Sequence, residues 1–181
     1  PATVETVRGD LTEAPARERV REVAGGDVDV VLSDMAPNMT GEYSVDHARS
    51  VHLARQAATV ADDLLAGGGD LAVKVFDGPD LAALRADLED DYEYVRAVHP
   101  DASRDSSSEV YLVGKSRLTA PVRVGDTLDV DIVDSGDEGD GIARVDGFTL
   151  FVPGAEIGET VTVEVTDVKT NFGFAEQTAG R

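Results

Sequence analysis

The chain has 181 residues and a formal charge of −20, from 36 acidic against 16 basic side chains, and it contains no cysteine. That length makes room for two unequal domains but hardly for three, and the lack of cysteine excludes disulfides, cysteine-bound zinc and thiol nucleophiles. No apolar run approaches the roughly 20 residues of a membrane helix and the first residues lack a signal-peptide layout, so a cytoplasmic protein without a membrane partner is expected.

So negative a chain argues against a nucleic-acid partner at low salt, because phosphate binding relies on Lys and Arg. The acids are spread along the whole sequence, however, and only Lys74, Lys115 and Lys169 are lysines. A plain solvated acidic surface is one reading. Adaptation to molar salt, where the Debye length falls to about 3 Å, is the favoured one and removes the objection.

In chain order, Thr3 to Arg8 alternates apolar and polar residues up to Gly9-Asp10 and predicts a short strand. A helix fits Ala16 to Val23. The β-branched run Val28 to Leu32, bounded by Gly25-Gly26 and Ser33-Asp34, predicts a buried parallel strand with Asp34 at its carboxyl end. Helical spacing of Leu53, Ala57, Val60, Ala61 and Leu64 predicts a helix from Ser44 to Leu65, ended by Gly67-Gly68-Gly69. Leu71 to Phe76 is a second buried strand, Leu81 to Leu88 a helix, and Tyr92 to Val98 and Val110 to Val113 two further strands. Strand and helix alternate, which predicts a doubly wound α/β sheet with ligands beyond the carboxyl ends of its strands, where Asp10, Asp34 and the segment after Lys74 fall.

The pattern changes after Lys115-Ser116-Arg117. Short period-2 runs, Thr127 to Val133, Ile142 to Val145, Phe148 to Val152, Thr160 to Val165 and Phe172 to Ala175, predict an antiparallel barrel of about five strands. The domains are therefore expected at 1–117 and 118–181.

Ser33-Asp34-Met35-Ala36-Pro37-Asn38 follows directly on a buried strand, and here the chain resembles the FtsJ/RrmJ family of RNA ribose 2′-O-methyltransferases. The resemblance continues in order through Val45-Asp46, Gly67-Gly68-Gly69, Val73-Lys74-Val75-Phe76, Pro100-Asp101 and Ser108-Glu109-Val110-Tyr111. It implies a Rossmann-like domain that uses S-adenosylmethionine, with Asp34, Lys74 and Glu109 as the last three members of a Lys-Asp-Lys-Glu catalytic tetrad. It also implies cofactor contacts from Asp10, toward the adenine amino group, and from Asp34, near the methionine moiety. The family's first lysine, its glycine-rich cofactor loop and its ribose-binding acid have no counterpart in these residues and are expected upstream of residue 1. Two strands that separate the one ending at Asp10 from the one ending at Asp34 are expected there too. On that expectation these residues alone either fail to bind the cofactor or are rearranged at their start, with the edge of Val28 to Leu32 bare.

The chemistry can be argued beside the family. In-line methyl transfer to a 2′-hydroxyl needs nucleophile, methyl carbon and leaving sulfur held collinear, and a proton removed. A lysine serves as base only if burial or nearby cations depress its pKa, while carboxylates oppose that. Glu109 then more naturally orients Lys74 or the ribose than takes the proton. Taken singly, each residue has a plainer explanation: Asp34 a turn cap, Lys74 a snorkelling strand residue, Glu109 a solvated strand start. Their order in the family pattern tips the balance toward function.

The barrel resembles a TRAM domain, an OB-like RNA-binding module, through Val124-Gly125-Asp126, Gly139-Asp140-Gly141-Ile142-Ala143, Phe151-Val152-Pro153-Gly154 and Gly158-Glu159. Phe148, Phe172, Arg144 and Lys169 are candidates to meet RNA, while Phe148, Phe151, Phe172 and Phe174 are expected mostly to fill the core. Ser103, Arg104 and Ser106 to Ser108 form a polar loop that could reach phosphates or simply be solvated. His47, His52 and His99 lack metal-ligand spacing and read as structural or surface residues, and Gly136 to Gly141, with Asp137, Glu138 and Asp140, reads as an acidic hairpin turn, so no metal is implied. The resemblance implies methylation of a uridine ribose in large-subunit ribosomal RNA. Methylation of transfer RNA and a non-catalytic RNA-binding or ribosome-assembly role are the alternatives.

Overall fold

A computed structural model of the chain describes residues 4–99, 108–136 and 139–178. Two compact units divide it, 1–117 and 118–181. The first unit begins with α1 (Ala14–Ala24), which has Pro15 in its opening turn and ends where Gly25 adopts a left-handed φ of 70° and donates its N–H to the Arg21 carbonyl at 3.1 Å. Then come β1 (Val28–Ser33), α2 (Tyr43–Leu64), β2 (Leu65–Phe76), α3 (Leu81–Glu89), β3 (Tyr92–Val98) and β4 (Glu109–Arg117).

The sheet order is β1-β2-β4-β3. β1 and β2 are parallel, while β4 runs antiparallel to both β2 and β3, so the sheet is mixed. The steps from β1 to β2 and from β2 to β3 both move the same way across it. Right-handed crossovers in one direction put their helices on one face. Accordingly Val51, Ala54, Ala57 and Ala61 of α2 and Leu84 and Leu88 of α3 pack with Leu71, Val73, Val75, Val110 and Leu112 of the sheet. Helices on both faces, as a doubly wound sheet has, are not found among the described residues. The opposite face carries Ala72, Lys74, Tyr111 and Val113, all half-buried.

Three local expectations are corrected. The described part of the Thr3 to Arg8 segment forms no strand, and Val4 is 87% exposed; alternation selects a face but makes no ladder without a partner strand. β1 is parallel as expected but not buried, with Leu32 77% exposed, because among the described residues it pairs only with β2, and Val28 and Val31 are its residues that pack against the core. Gly67 to Gly69 does not end α2 in a loop. The glycines lie inside β2, where the register jumps from Val28 opposite Leu65 to Val30 opposite Asp70 and the intervening residues bulge out. Pro100, Asp101, Ser103, Arg104, Ser106, Ser107, Asp137 and Glu138 lie outside the described residues.

The second unit is a closed barrel of β5 (Thr127–Ser135), β6 (Gly141–Val145), β7 (Phe148–Val152), β8 (Thr160–Val168) and β9 (Phe172–Gln177), in the order β5-β6-β7-β9-β8. Asp146-Gly147 joins β6 to β7 with positive φ at both residues (49° and 86°), the geometry that a two-residue hairpin loop demands. All neighbouring pairs are antiparallel except β7 with β9. Ile132, Ala143, Leu150, Val152, Val163, Val165 and Ala175 fill the interior.

The four phenylalanines do not fill it together. Phe148 is in the core, which removes it as an RNA-facing candidate, whereas Phe151, Phe172 and Phe174 point outward because Leu150, Val152, Gly173 and Ala175 hold the inward positions beside them. At Gly173 an added Cβ would come within 2.8 Å of the Asp167 carbonyl oxygen, so only glycine lets β9 approach β8 this closely.

In the first unit the ring of Tyr92 lies over Gly114, where a Cβ would come within 2.8 Å of it, and its buried hydroxyl has no hydrogen-bond partner among the described residues. Burial raises the Tyr92 pKa, with Asp62 adding to the shift. Because an unsatisfied buried hydroxyl costs about 1–3 kcal/mol, Tyr92→Phe should stabilise the first unit by about 1 kcal/mol, seen as a higher urea midpoint at unchanged slope.

Candidate active site

Asp34, Lys74 and Glu109 meet at one edge of the sheet. β1 and β2 are parallel and in register at Ser33 with Val73, so the residues that follow, Asp34 and Lys74, come side by side. β4 runs the other way, which brings its first residue, Glu109, opposite Phe76 and places Tyr111 directly opposite Lys74. Alternation does the rest. Val73 and Val75 turn into the core at 0% exposure, and Lys74 turns to the opposite face with its side chain only 10% exposed.

There Lys74 Nζ lies 2.8 Å from Asp34 Oδ1 and 3.8 Å from Glu109 Oε1. The Tyr111 hydroxyl donates to the same Asp34 Oδ1 at 2.7 Å. Hydrogen bonding to Lys74, then to Tyr111, holds the Asp34 carboxyl below its ordinary value, and the same bond to Asp34 raises the Tyr111 phenol. The arrangement places one ammonium nitrogen between two carboxylates, with a phenol fixing the nearer one. Tyr111 was not singled out as a site residue from sequence, although its spacing of two from Glu109 put both on one face of one strand.

Asp10 is not drawn into this group. Its carboxylate accepts the Thr12 N–H at 2.9 Å and the Thr12 hydroxyl at 2.7 Å, which lowers its pKa through a local turn. Leu11 and Asp34 nevertheless both line one largely apolar cavity of about 470 Å³, with Leu32 and Met35. A larger groove of about 790 Å³ is lined by Pro37-Asn38 of the loop after β1 and by Ser44, Arg49 and His52 of α2. Among the described residues no group of three or more His, Asp or Glu side chains could hold a metal ion.

The loops that frame the site hang on the first turns of α2, which carry the buried polar residues Asp46, His47 and Ser50. Asp46 accepts hydrogen bonds from the Thr40 N–H (2.8 Å), the Thr40 hydroxyl (2.8 Å) and the Gly41 N–H (3.0 Å), fixing the loop after Asp34. The Thr40 N–H is the main cause that keeps its carboxyl below the ordinary value, against an opposing effect of burial. His47 Nδ1 lies 3.0 Å from the Phe76 carbonyl oxygen, its Nε2 accepts the Asp80 N–H at 3.2 Å, and the Ser50 hydroxyl accepts the Phe76 N–H at 3.1 Å. These bonds fix the end of the Lys74 strand. Gly78 is required, since a Cβ there would lie 2.5 Å from the His47 ring. His47 is thus a structural residue, while His52 and His99 are exposed.

The sequence model of the FtsJ-like methyltransferase family matches residues 1–117. The chain belongs to that family. The TRAM domain model matches residues 121–178 of the same chain, so this FtsJ-like protein carries a TRAM domain as well. A ribosomal RNA large subunit methyltransferase E of Natronomonas pharaonis is 68% identical over 173 residues, 96% of this chain and 68% of that protein. The protein of the same name from Haloquadratum walsbyi is 64% identical over 174 residues, 96% of this chain and 68% of its own length. These relatives are haloarchaeal, in keeping with the acid-rich composition. A crystal structure described as a ribosomal RNA methyltransferase from Plasmodium falciparum shares the fold at a TM-score of 0.50 and 22% identity, covering 61% of this chain and 57% of that one. No helix among the described residues is long and apolar enough to cross a membrane.

Since its folded-state pKa is depressed, Asp34 contributes to the ion pair at any pH above the ordinary carboxylate value and loses that contribution only as pH falls through its own lower value. Removing the phenol bond with Tyr111→Phe should raise the Asp34 pKa toward the ordinary value, read from the carboxyl carbon shift in an NMR titration. An unchanged titration would show that Lys74 alone sets it.

Proposed function

We propose that this chain carries the catalytic residues of an S-adenosylmethionine-dependent methyltransferase that modifies the 2′-hydroxyl of a uridine ribose in large-subunit ribosomal RNA. The observation that supports the reading most is the single cluster of Lys74 with Asp34, Glu109 and Tyr111 at the carboxyl edge of the parallel strands β1 and β2. The names of the haloarchaeal relatives support the substrate. The uridine is carried by the family resemblance.

The residues present fit part of the cofactor. Asp34 is anionic, 74% exposed, and borders an apolar cavity, a donor set suited to a cationic sulfonium joined to a flat adenosine. When bound, S-adenosylmethionine supplies an electrophilic methyl group. The Lys74 ammonium, fixed between its two carboxylates, would donate a hydrogen bond that holds the 2′-hydroxyl oxygen in line with that carbon. It can receive the hydroxyl proton only after giving up one of its own, a loss that the further lysine expected upstream would favour. Asp34 orients Lys74 and would hold the sulfonium of a bound cofactor by its charge, and Glu109 positions Lys74 or the ribose. Asp10, next in sequence to the cavity-lining Leu11, is the candidate for the adenine amino group.

The bare edge of β1, with Val30 50% and Leu32 77% exposed, is the place where we expect two further strands, bringing the glycine-rich loop and the remaining lysine. On this reading the domain is Rossmann-like once completed, and residues 1–181 alone do not catalyse transfer. The TRAM barrel then recruits the RNA.

The test is transfer of labelled methyl groups to ribosomal and transfer RNA in molar salt by this chain, by a form extended upstream, and by the extended Lys74→Ala variant. Activity is expected only in the extended form, on ribosomal RNA, and Lys74→Ala should lower it by about 10²–10⁴-fold. Ribosomal RNA binding without transfer by the extended form would leave a non-catalytic RNA-binding factor, and preference for transfer RNA would correct the substrate.

A further inference from the structure

The larger groove, lined by the loop after β1 and by α2, takes no part in the catalytic cluster. One of its sides follows from helical spacing. Val45, Ala48, Arg49 and His52 stand at i, i+3, i+4 and i+7, a stripe along α2 next to the one that packs on the core. Pro37 and Asn38 line it from the loop, and its volume of about 790 Å³ falls within the range of small-molecule sites, about 300–1,000 Å³.

Charge sets this groove apart. The chain has 36 acidic residues in 181, yet none of the nine residues lining the groove is acidic, while Arg49 and His52 are among them. Arg49 is exposed and, unlike Arg21, Arg55, Arg85 and Arg117, lies within ion-pair distance of no carboxylate among the described residues. It donates one hydrogen bond, from Nη1 to the Asn38 carbonyl oxygen at 3.3 Å, and its other N–H donors are left for a ligand. The acids next to it in sequence are already engaged: Glu42 accepts the Ser44 hydroxyl at 3.1 Å, and Asp46 is held by Thr40 and Gly41.

A guanidinium, an apolar surface from Pro37, Ala48 and Leu53, and short polar groups from Asn38, Ser44 and His52 complement three parts of one nucleotide, namely its phosphate, its base face and its base edge. The groove also shares a loop with the catalytic cluster. Asn38 follows Asp34 by four residues, which at about 3.6 Å per residue keeps the two within about 14 Å, so one RNA strand can reach both.

We propose that this groove is a subsite for a nucleotide flanking the ribose to be methylated, with Arg49 on its phosphate and Asn38, Ser44 and His52 on its base edge. The proposal rests on the RNA reading above and adds that the first unit itself reads the sequence around its target.

The experiment has two arms. In the first, uridine and the dinucleotides UpA, UpC, UpG and UpU are titrated into the whole chain in molar KCl, with NMR signals read at the amides of Asn38, Ser44 and His52 and at the Arg49 Nε–H. These signals should move together, the four dinucleotides should differ in affinity, and the best of them should bind about tenfold more tightly than uridine. Arg49→Gln should remove that advantage, Arg49→Lys, which keeps the charge, should restore most of it, and Arg96→Gln, an exposed position on β3, should bind as the parent does. In the second arm the extended form transfers methyl groups to RNA. There Arg49→Gln should raise KM about tenfold at unchanged kcat, and the fall of kcat/KM with salt should become shallower by about 0.7 in logarithmic slope, the loss of one phosphate contact to a single strand.

Shifts confined to other surfaces, four equal dinucleotide affinities, parent-like binding by a folded Arg49→Gln variant, or a lowered kcat at unchanged KM each overturns the subsite. An extended form that transfers nothing while binding in the groove still depends on Arg49 sinks the enzyme reading and keeps the subsite. Transfer with a KM indifferent to Arg49→Gln does the reverse.

Discussion

The site depends on the direction of one strand. β4 enters between β2 and β3 against both, so its first residues stand beside the last residues of β2. A parallel strand in that place would carry Glu109 and Tyr111 to the far edge of the sheet, about 3.3 Å further for every residue. The antiparallel register instead sets Tyr111 across from Lys74, and the pleat gives both the same face. The valines on either side of Lys74 are buried at 0% exposure, so the lysine cannot change faces without emptying the core. The core therefore sets the aim of the site.

Charge shapes the rest. At high salt the exposed pairs, such as Arg21 with Asp63 and Arg85 with Glu89, are screened and contribute little. Folding then rests on burial, and the two cores are built mostly from valine, alanine and leucine with few aromatic residues. Basic groups that remain are placed where geometry is tight. Lys115 pairs with Asp70, whose carboxyl would be raised by burial but is lowered overall by Lys115 and the Ser116 N–H. Arg117 donates to the carbonyls of Leu65 and Asp62, tying the last strand of the first unit to the end of α2.

Most of this fold was readable in the sequence wherever burial decides the pattern. Leu71 to Phe76 and Phe148 to Val152 become strands because their alternate residues fill a core. The segment before Gly9 had the same alternation and failed, since a ladder needs a neighbour and periodicity carries no information about one. The triple glycine was legible as a break but not as a bulge within β2, because glycine permits both. For the barrel, the expectation that the phenylalanines mostly fill the core holds only for Phe148, because Leu150, Val152 and the small residues Gly173 and Ala175 take the inside beside the other three. Asp34, Lys74 and Glu109 could be picked out only as ends of strands and by family pattern. Their mutual distances, and the part played by Tyr111, follow from the pairing of β2 with β4, which no local signal encodes.

The buried side chains on the opening turns of α2 reach in two directions, Asp46 to the loop after β1, His47 and Ser50 to the end of β2 and the turn beyond it. Both walls of the site are thus hung from a single rod. Tyr43, stacked on His47 at 6.3 Å and donating to the Asp77 carbonyl oxygen at 2.5 Å, fastens the same rod from outside. One wall does not yield for free: a guest that pushes the first loop aside either breaks its bonds to Asp46 or pulls on the helix turns that also hold the second.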